Sequence, residues 1–257
     1  MRRPALWSAL LVALLPALII PGLAYEAVDV HEAGTITGRV VFVGPIPSLP
    51  PLRLTKDQES CAAAASPQAL LVSPENRGVK NTVISLQGIT QGKAPASERP
   101  VLDNQDCILT PRVLAVMAGT EIVIQSSDPF LHTTRGRLPD LKQAFNLVFP
   151  KQTPPKAQKI RLPGVITVTC DTHPHMRAYI LSLAHPYSAV SNARGHFEIT
   201  QVPPGTYTVQ AWHEGWTMLG YDQDGRPQYE EPHSMTTTVT VTAGTTQHIE
   251  FQLSARN

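Results

Sequence analysis

The sequence predicts an all-β protein, and three observations carry that prediction. Short Val/Ile/Thr-rich runs recur through the middle and the end of the chain. Turn residues bound them, with 24 prolines and 16 glycines spread along 257 residues. No long stretch keeps the apolar period of a helix. The length suits one or two domains, each able to bury a core. A formal charge of +1, with no basic run, gives no electrostatic case for nucleic acid.

The first element is a targeting segment. In "MRRPALWSALLVALLPALIIPGLA", Arg2 and Arg3 precede an apolar run broken only by Ser8, Pro16, Pro21 and Gly22. Gly22-Leu23-Ala24 closes it as a small-x-small cleavage signal. Residues 1–24 therefore read as a signal peptide cut after Ala24, leaving no membrane span. Residues 5–24 are also about long enough to span, so an uncleaved anchor is the competing reading. Either way the remainder is exported, to a periplasmic or other extracytoplasmic space. Loss of Arg2 and Arg3 takes the formal charge to −1.

Export changes how the three cysteines read. In an oxidising compartment two should pair and one should remain. Cys61 in "DQESCA" and Cys107 in "DNQDCIL" lie in polar, turn-like contexts, whereas Cys170 sits in a dense cluster of metal-ligating residue types. We expect a Cys61–Cys107 disulfide that ties down the Pro-rich stretch "VGPIPSLPPLRL". The alternative is two unpaired buried thiols.

The stretch "TCDTHPHM", Thr169 to Met176, carries the chemistry. A Pro163-Gly164 turn precedes it, then a strand in which Ile166, Val168 and Cys170 share one apolar face. The strand delivers Cys170 to its own end, where the chain turns. His173 and Met176 lie in that turn, and "RAYILSLAHPY" resumes as a strand. One thiolate, imidazoles and a weak axial thioether match a His2Cys trigonal copper site. The second imidazole must come from elsewhere. "GTEIVIQSSDPFLHTTRG" offers His132, after a strand in which Ile122 and Ile124 alternate with polar residues. Taken singly, Cys170 reads as an inert core thiol, and His173 and His175 as solvated loop residues. The combination with His132 favours metal. Structural zinc draws on paired cysteines, and no CxxC is present. A cysteine–histidine hydrolase needs an oriented base and an oxyanion site, which nothing here supplies.

"CDTHPHMRAYILSL" resembles the copper loop of cupredoxins, most closely that of amicyanins, with the same Cys-x2-His-x2-Met spacing. "VLAVMAGTEIVIQSSDPFLH" resembles the family's strand, Gly-Thr turn, strand and first ligand histidine. The resemblance covers residues 100–187. It implies a Greek-key β-sandwich and one mononuclear type 1 copper held by His132, Cys170, His173 and Met176. Two positions depart from the family. Thr133 stands where an asparagine usually ties the two ligand loops together, and His175 where amicyanins have phenylalanine. His175 reads as a solvated loop residue, with an alternative ligand and part of a docking surface as competing readings.

After the hairpin the pattern changes. "AVSNARGHFEITQVPPGTYTVQAWHEGW" reads as turn, strand, Pro-Pro-Gly turn, strand, and "TTTVTVTAGTTQHIEFQLS" adds two more strands around Ala243-Gly244. Residues 188–257 resemble carboxypeptidase regulatory-like domains, which implies a second, smaller prealbumin-like β-sandwich. Four strands are few for a sandwich. "GTITGRVVFVG" at 34–44 and "NTVISLQG" at 81–88 are candidates to complete it, so strands from 33–90 would join the late ones around an inserted cupredoxin domain. Two consecutive domains are the plainer alternative. Trp212, His213 and Trp216 read as core or interdomain packing, with a sugar platform as the weaker reading. Arg135 and Arg137 either steer an acidic partner or belong to a solvated loop.

Two functions follow. One is an exported blue copper protein that carries single electrons to an unidentified redox partner and is not an enzyme, with His173 expected nearest the surface as the electron exit. The other is a non-redox copper-binding module, or an adhesion or carbohydrate-binding module of the cell envelope. A single thiolate with Met176 favours the first.

Overall fold

The computed structural model describes residues 25–140 and 142–256. The leader expected over residues 1–24 lies outside the described residues. Among these, the secondary structure is β-strand apart from one four-residue 3-10 turn, Ala62–Ala65. No helix of the described residues is long and apolar enough to cross a membrane.

Two sheets enclose the first core. A five-stranded sheet runs in the order Gln143–Phe149, His132–Arg137, Gly164–Cys170, Arg177–Leu183, Val113–Met117. A four-stranded sheet runs Lys156–Lys159, Glu121–Ser126, Val101–Gln105, Ile108–Thr110. Alternation decides what they bury. Ile166, Val168 and Cys170 point inward from one strand, and Ile122 and Ile124 from the facing sheet; all five are buried in one cluster with Phe145 and Phe149. Packing is close on one side of Gly136, which pairs with Phe145. A Cβ built on Gly136 would lie 2.5 Å from the Phe145 ring.

The second core lies between a four-stranded sheet, Ser188–Val190, Val83–Gln87, Gly205–His213, His233–Val241, and a three-stranded one, His196–Val202, Gly34–Phe42, Thr246–Leu253. The early strand Gly34–Phe42 thus pairs with His196–Val202 on one side and Thr246–Leu253 on the other. Val83–Gln87 pairs with Ser188–Val190 and Gly205–His213. Residues far apart in sequence therefore share one core, including Ile36, Val40, Ile84, Val209 and Phe251. Trp216 is buried in this core and stacks on His233 at 3.8 Å, so its ring offers no platform to solvent.

A small apolar cluster joins the two halves. Val83 and Trp212 from the second pack with Val113, Tyr179 and Leu181 from the first. Cys61 and Cys107 form a disulfide, as the sequence predicts, with Cα atoms 5.3 Å apart. Leu54 of the Pro-rich stretch packs against it with Ile108 and Phe130.

Candidate metal centre

Strand register brings the principal residues together. Cys170 ends the strand Gly164–Cys170, and His132 begins the neighbouring antiparallel strand, where Cys170 pairs with Thr134. The loop after Cys170 turns back so that the Met176 N–H donates to the His173 carbonyl at 3.0 Å. The chain then re-enters the sheet as Arg177–Leu183, paired with Gly164–Cys170.

The Cys170 Sγ lies 3.7 Å from His132 Nδ1 and 4.0 Å from His173 Nδ1. The three ligand atoms lie within 4.8 Å of one another, and this group could hold a metal ion. All three side chains are 0% exposed. The spacing suits donors that share an ion about 2.0–2.3 Å from each. The backbone N–H groups of Thr133 and His173 also donate to the sulfur, both at 3.4 Å. Burial alone pushes the thiol up. Contacts with the His132 and His173 rings, together with the two N–H donors, outweigh it and hold Cys170 down to about 6. Burial works against a charged His173, but its contacts with Cys170 and Asp57 leave it above the ordinary imidazole value.

Met176 is buried in the same apolar cluster as Cys170. The two loops are tied without an asparagine. Thr133 gives its N–H to the Cys170 sulfur, and its carbonyl accepts the Asp171 N–H at 3.2 Å. Arg135 is ion-paired to Asp171 at 2.5 Å, and Arg226 reaches the same carboxylate from the second half. Arg137 is exposed.

Two expectations need correction. His175 is 2% exposed rather than solvated. Its Nε2 donates to the Cys107 carbonyl at 3.1 Å, and its Nδ1 is buried without a hydrogen-bond partner. Burial pushes its pKa down to about 4, so the ring is neutral at ordinary pH. His173 is not the surface edge of the site, because Asp57 caps its Nε2 at 2.8 Å and Phe130 packs beside it, ring centroids 5.5 Å apart. The segments joined by the disulfide supply Asp57 over His173 and the Cys107 carbonyl over His175, and their reach across the loop is what local sequence pattern does not convey.

Sequence reasoning missed two carboxylates. Asp57 contacts His173, and Asp128 contacts His132 Nε2 at 2.9 Å. Asp128 stands four residues before its histidine, a spacing that was available as a signal. Asp57 stands 116 residues away, and no local signal marks it.

Residues 182–249 match the family described as polysaccharide lyase family 4, domain II. That match lends no support to the carboxypeptidase regulatory-like resemblance of the same stretch. No curated protein matches the chain. Among solved structures, the chain is similar to a Cu-containing nitrite reductase from Thermus scotoductus SA-01, at 21% identity and TM-score 0.29, over 35% of this chain and 23% of the reductase. It therefore spans under a quarter of that protein's length. It is also similar to a purple cupredoxin from Nitrosopumilus maritimus, at 15% identity and TM-score 0.29, over 32% of this chain and 98% of that one. Amicyanin from Paracoccus versutus (Thiobacillus versutus) matches at 13% identity and TM-score 0.30, over 38% of this chain and 96% of that one. Scores this low add nothing to the fold drawn above from strand pairing.

Proposed function

We propose that the chain is an exported copper protein that carries single electrons, holding one ion on His132, Cys170 and His173 with Met176 as a weak axial donor. The observation that carries this reading is the buried His132–Cys170–His173 group, with both Nδ1 atoms turned to one sulfur. One thiolate and two imidazoles suit copper in a trigonal site better than structural zinc, which favours paired thiolates. Copper bound there supplies one-electron redox chemistry. The chain's residues supply the rest. The depressed Cys170 pKa keeps the sulfur deprotonated near neutral pH, ready to ligate. The paired strands Gly164–Cys170, His132–Arg137 and Arg177–Leu183 hold the donors fixed between oxidation states. The same reading treats the metal-bearing sandwich as an insertion between early and late strands of the second, and the protein as a carrier rather than a catalyst.

A second reading is copper holding without electron transfer. The complete burial of both histidines favours it, since no imidazole edge reaches solvent. The test of the main reading is the visible spectrum of the purified, copper-loaded, oxidised chain. An intense thiolate-to-Cu(II) band is expected, and Cys170→Ser abolishes it while the fold persists. A coloured serine variant sinks the assignment. Fast, reversible reduction by a small soluble donor, measured by stopped flow, separates carrier from store.

A further inference from the structure

We infer that Asp57 and Asp128 are positioning residues for the metal centre, and that the Cys61–Cys107 disulfide holds both carboxylates in place. The inference rests on the reading of His132, Cys170 and His173 as the ligand group. Both histidines are arranged alike. Each turns Nδ1 to the Cys170 sulfur, at 3.7 and 4.0 Å, and Nε2 to a carboxylate, at 2.9 Å to Asp128 and 2.8 Å to Asp57. A neutral imidazole has one N–H and one lone pair. An ionised carboxylate only accepts, so the proton belongs on Nε2 and the lone pair on Nδ1, facing the sulfur. The carboxylates thus select the ring nitrogen that can ligate and fix each ring plane.

The carboxylates are held in turn by the cystine. The Asp57 carbonyl accepts the Cys61 N–H at 2.8 Å, closing the turn that leads into the disulfide. The Asp128 carboxylate accepts the N–H groups of Asp106 and Cys107, at 2.8 and 3.0 Å. The Cys107 carbonyl accepts a hydrogen bond from His175 Nε2–H. One S–S bond therefore ties the segment bracing His173 to the segment bracing His132, although these braces come from different regions of the chain.

The two aspartates differ in setting. The Asp128 side chain is 8% exposed and that of Asp57 is 44% exposed, so Asp57 is the gentler place to cut. Its φ of 47° favours aspartate or asparagine over alanine there. Asp57→Asn keeps an acceptor oxygen and the backbone preference, whereas Asp57→Ala removes the acceptor.

The experiment uses the full exported chain. Imidazole 15N shifts of the metal-free protein at a pH where both rings are neutral report the tautomers, and competition with a Cu(II) chelator reports affinity. The parent chain should carry its proton on Nε2 of both His132 and His173. Asp57→Ala should leave His173 as a mixture of tautomers with His132 unchanged, and should weaken Cu(II) binding 10- to 100-fold. Asp57→Asn should restore the single tautomer and most of the affinity. The Cys61→Ala/Cys107→Ala double variant should loosen both rings. An Nδ1 proton on either ring of the parent overturns the inference, and this holds even if a variant fails to fold. So does an Asp57→Ala chain with unchanged tautomers and affinity within twofold. Unchanged rings in the double cysteine variant overturn the role of the disulfide. A parent chain that binds no copper defeats the proposed function, while the tautomers still decide the braces.

Discussion

Arg112 and Glu214 form a bidentate ion pair across the two halves of the molecule, with Nε–Oε1 and Nη2–Oε2 both at 2.7 Å. The side chains are 10% and 1% exposed. The third guanidinium nitrogen, Nη1, donates to the Arg177 carbonyl at 3.0 Å, directly after Met176. The pair therefore anchors the return strand of the metal loop to the second sandwich. Breaking it leaves a buried charge without a partner. Glu214→Leu should destabilise by about 3–5 kcal/mol. Urea unfolding of the metal-free chain measures it, and a loss under about 1 kcal/mol would contradict the structural role assigned to the pair.

Acid should loosen the second sandwich. His213 is buried and donates from Nδ1 to the Glu214 carbonyl at 2.7 Å. Burial pushes its pKa below the ordinary value, against the pull of Glu214. The folded pKa lies below the unfolded one, so the stabilising contribution is present above about pH 6.5 and is lost as pH falls towards the folded value. One such group costs at most about 1.4 kcal/mol per pH unit over that window. Urea midpoints from about pH 7 down to about pH 5 should fall, and His213→Gln, which cannot gain a proton, should fall less steeply. Equal slopes would place the acid sensitivity elsewhere.

The metal loop was legible because its information is local. Cys170, His173 and Met176 are three residues apart, and Ile166, Val168 and Cys170 alternate on a single strand, so spacing alone puts the sulfur at a core edge. The strand Lys156–Lys159 has no such signal. Its sequence is KAQK, and it exists by pairing with Glu121–Ile124 at a sheet edge. His175 was misread for a related reason. Its own neighbours are polar, but it is buried and its hydrogen-bond partner is the Cys107 carbonyl, 68 residues away. Asp57 lies beyond any local pattern, since a covalent link between Cys61 and Cys107 is what brings its turn to the site. Pairing between Gly34–Phe42 and the late strands is also non-local, but the strands themselves carry recognisable alternation.

Thiol titration of the denatured, metal-free chain, never exposed to reductant, should find one free thiol. Cys61 and Cys107 are bonded and Cys170 is free. The cysteines are 46 residues apart, and closing a loop of that size stabilises by about 4 kcal/mol on the chain-entropy view. Cys61→Ala should lower the thermal midpoint accordingly. Three free thiols would remove the covalent tie on which the geometry of both carboxylates depends.

The axial position separates two buried candidates, Met176 and His175. Met176 belongs to the apolar cluster that contains Cys170, whereas His175 commits Nε2 to the Cys107 carbonyl and keeps Nδ1 unpartnered. A weak thioether lends little to either oxidation state, but it favours Cu(II) slightly more than an apolar wall does. Met176→Leu should therefore keep the thiolate band and raise the reduction potential, with little change in stability because the volume is conserved. His175→Leu should leave the band and its position nearly unchanged, while losing the hydrogen bond to Cys107 and lowering the unfolding free energy in urea by about 1 kcal/mol or more. Redox titration of the two variants alongside the parent decides between them. If His175→Leu moves the potential and Met176→Leu does not, the fourth donor is the imidazole, and the thioether is packing.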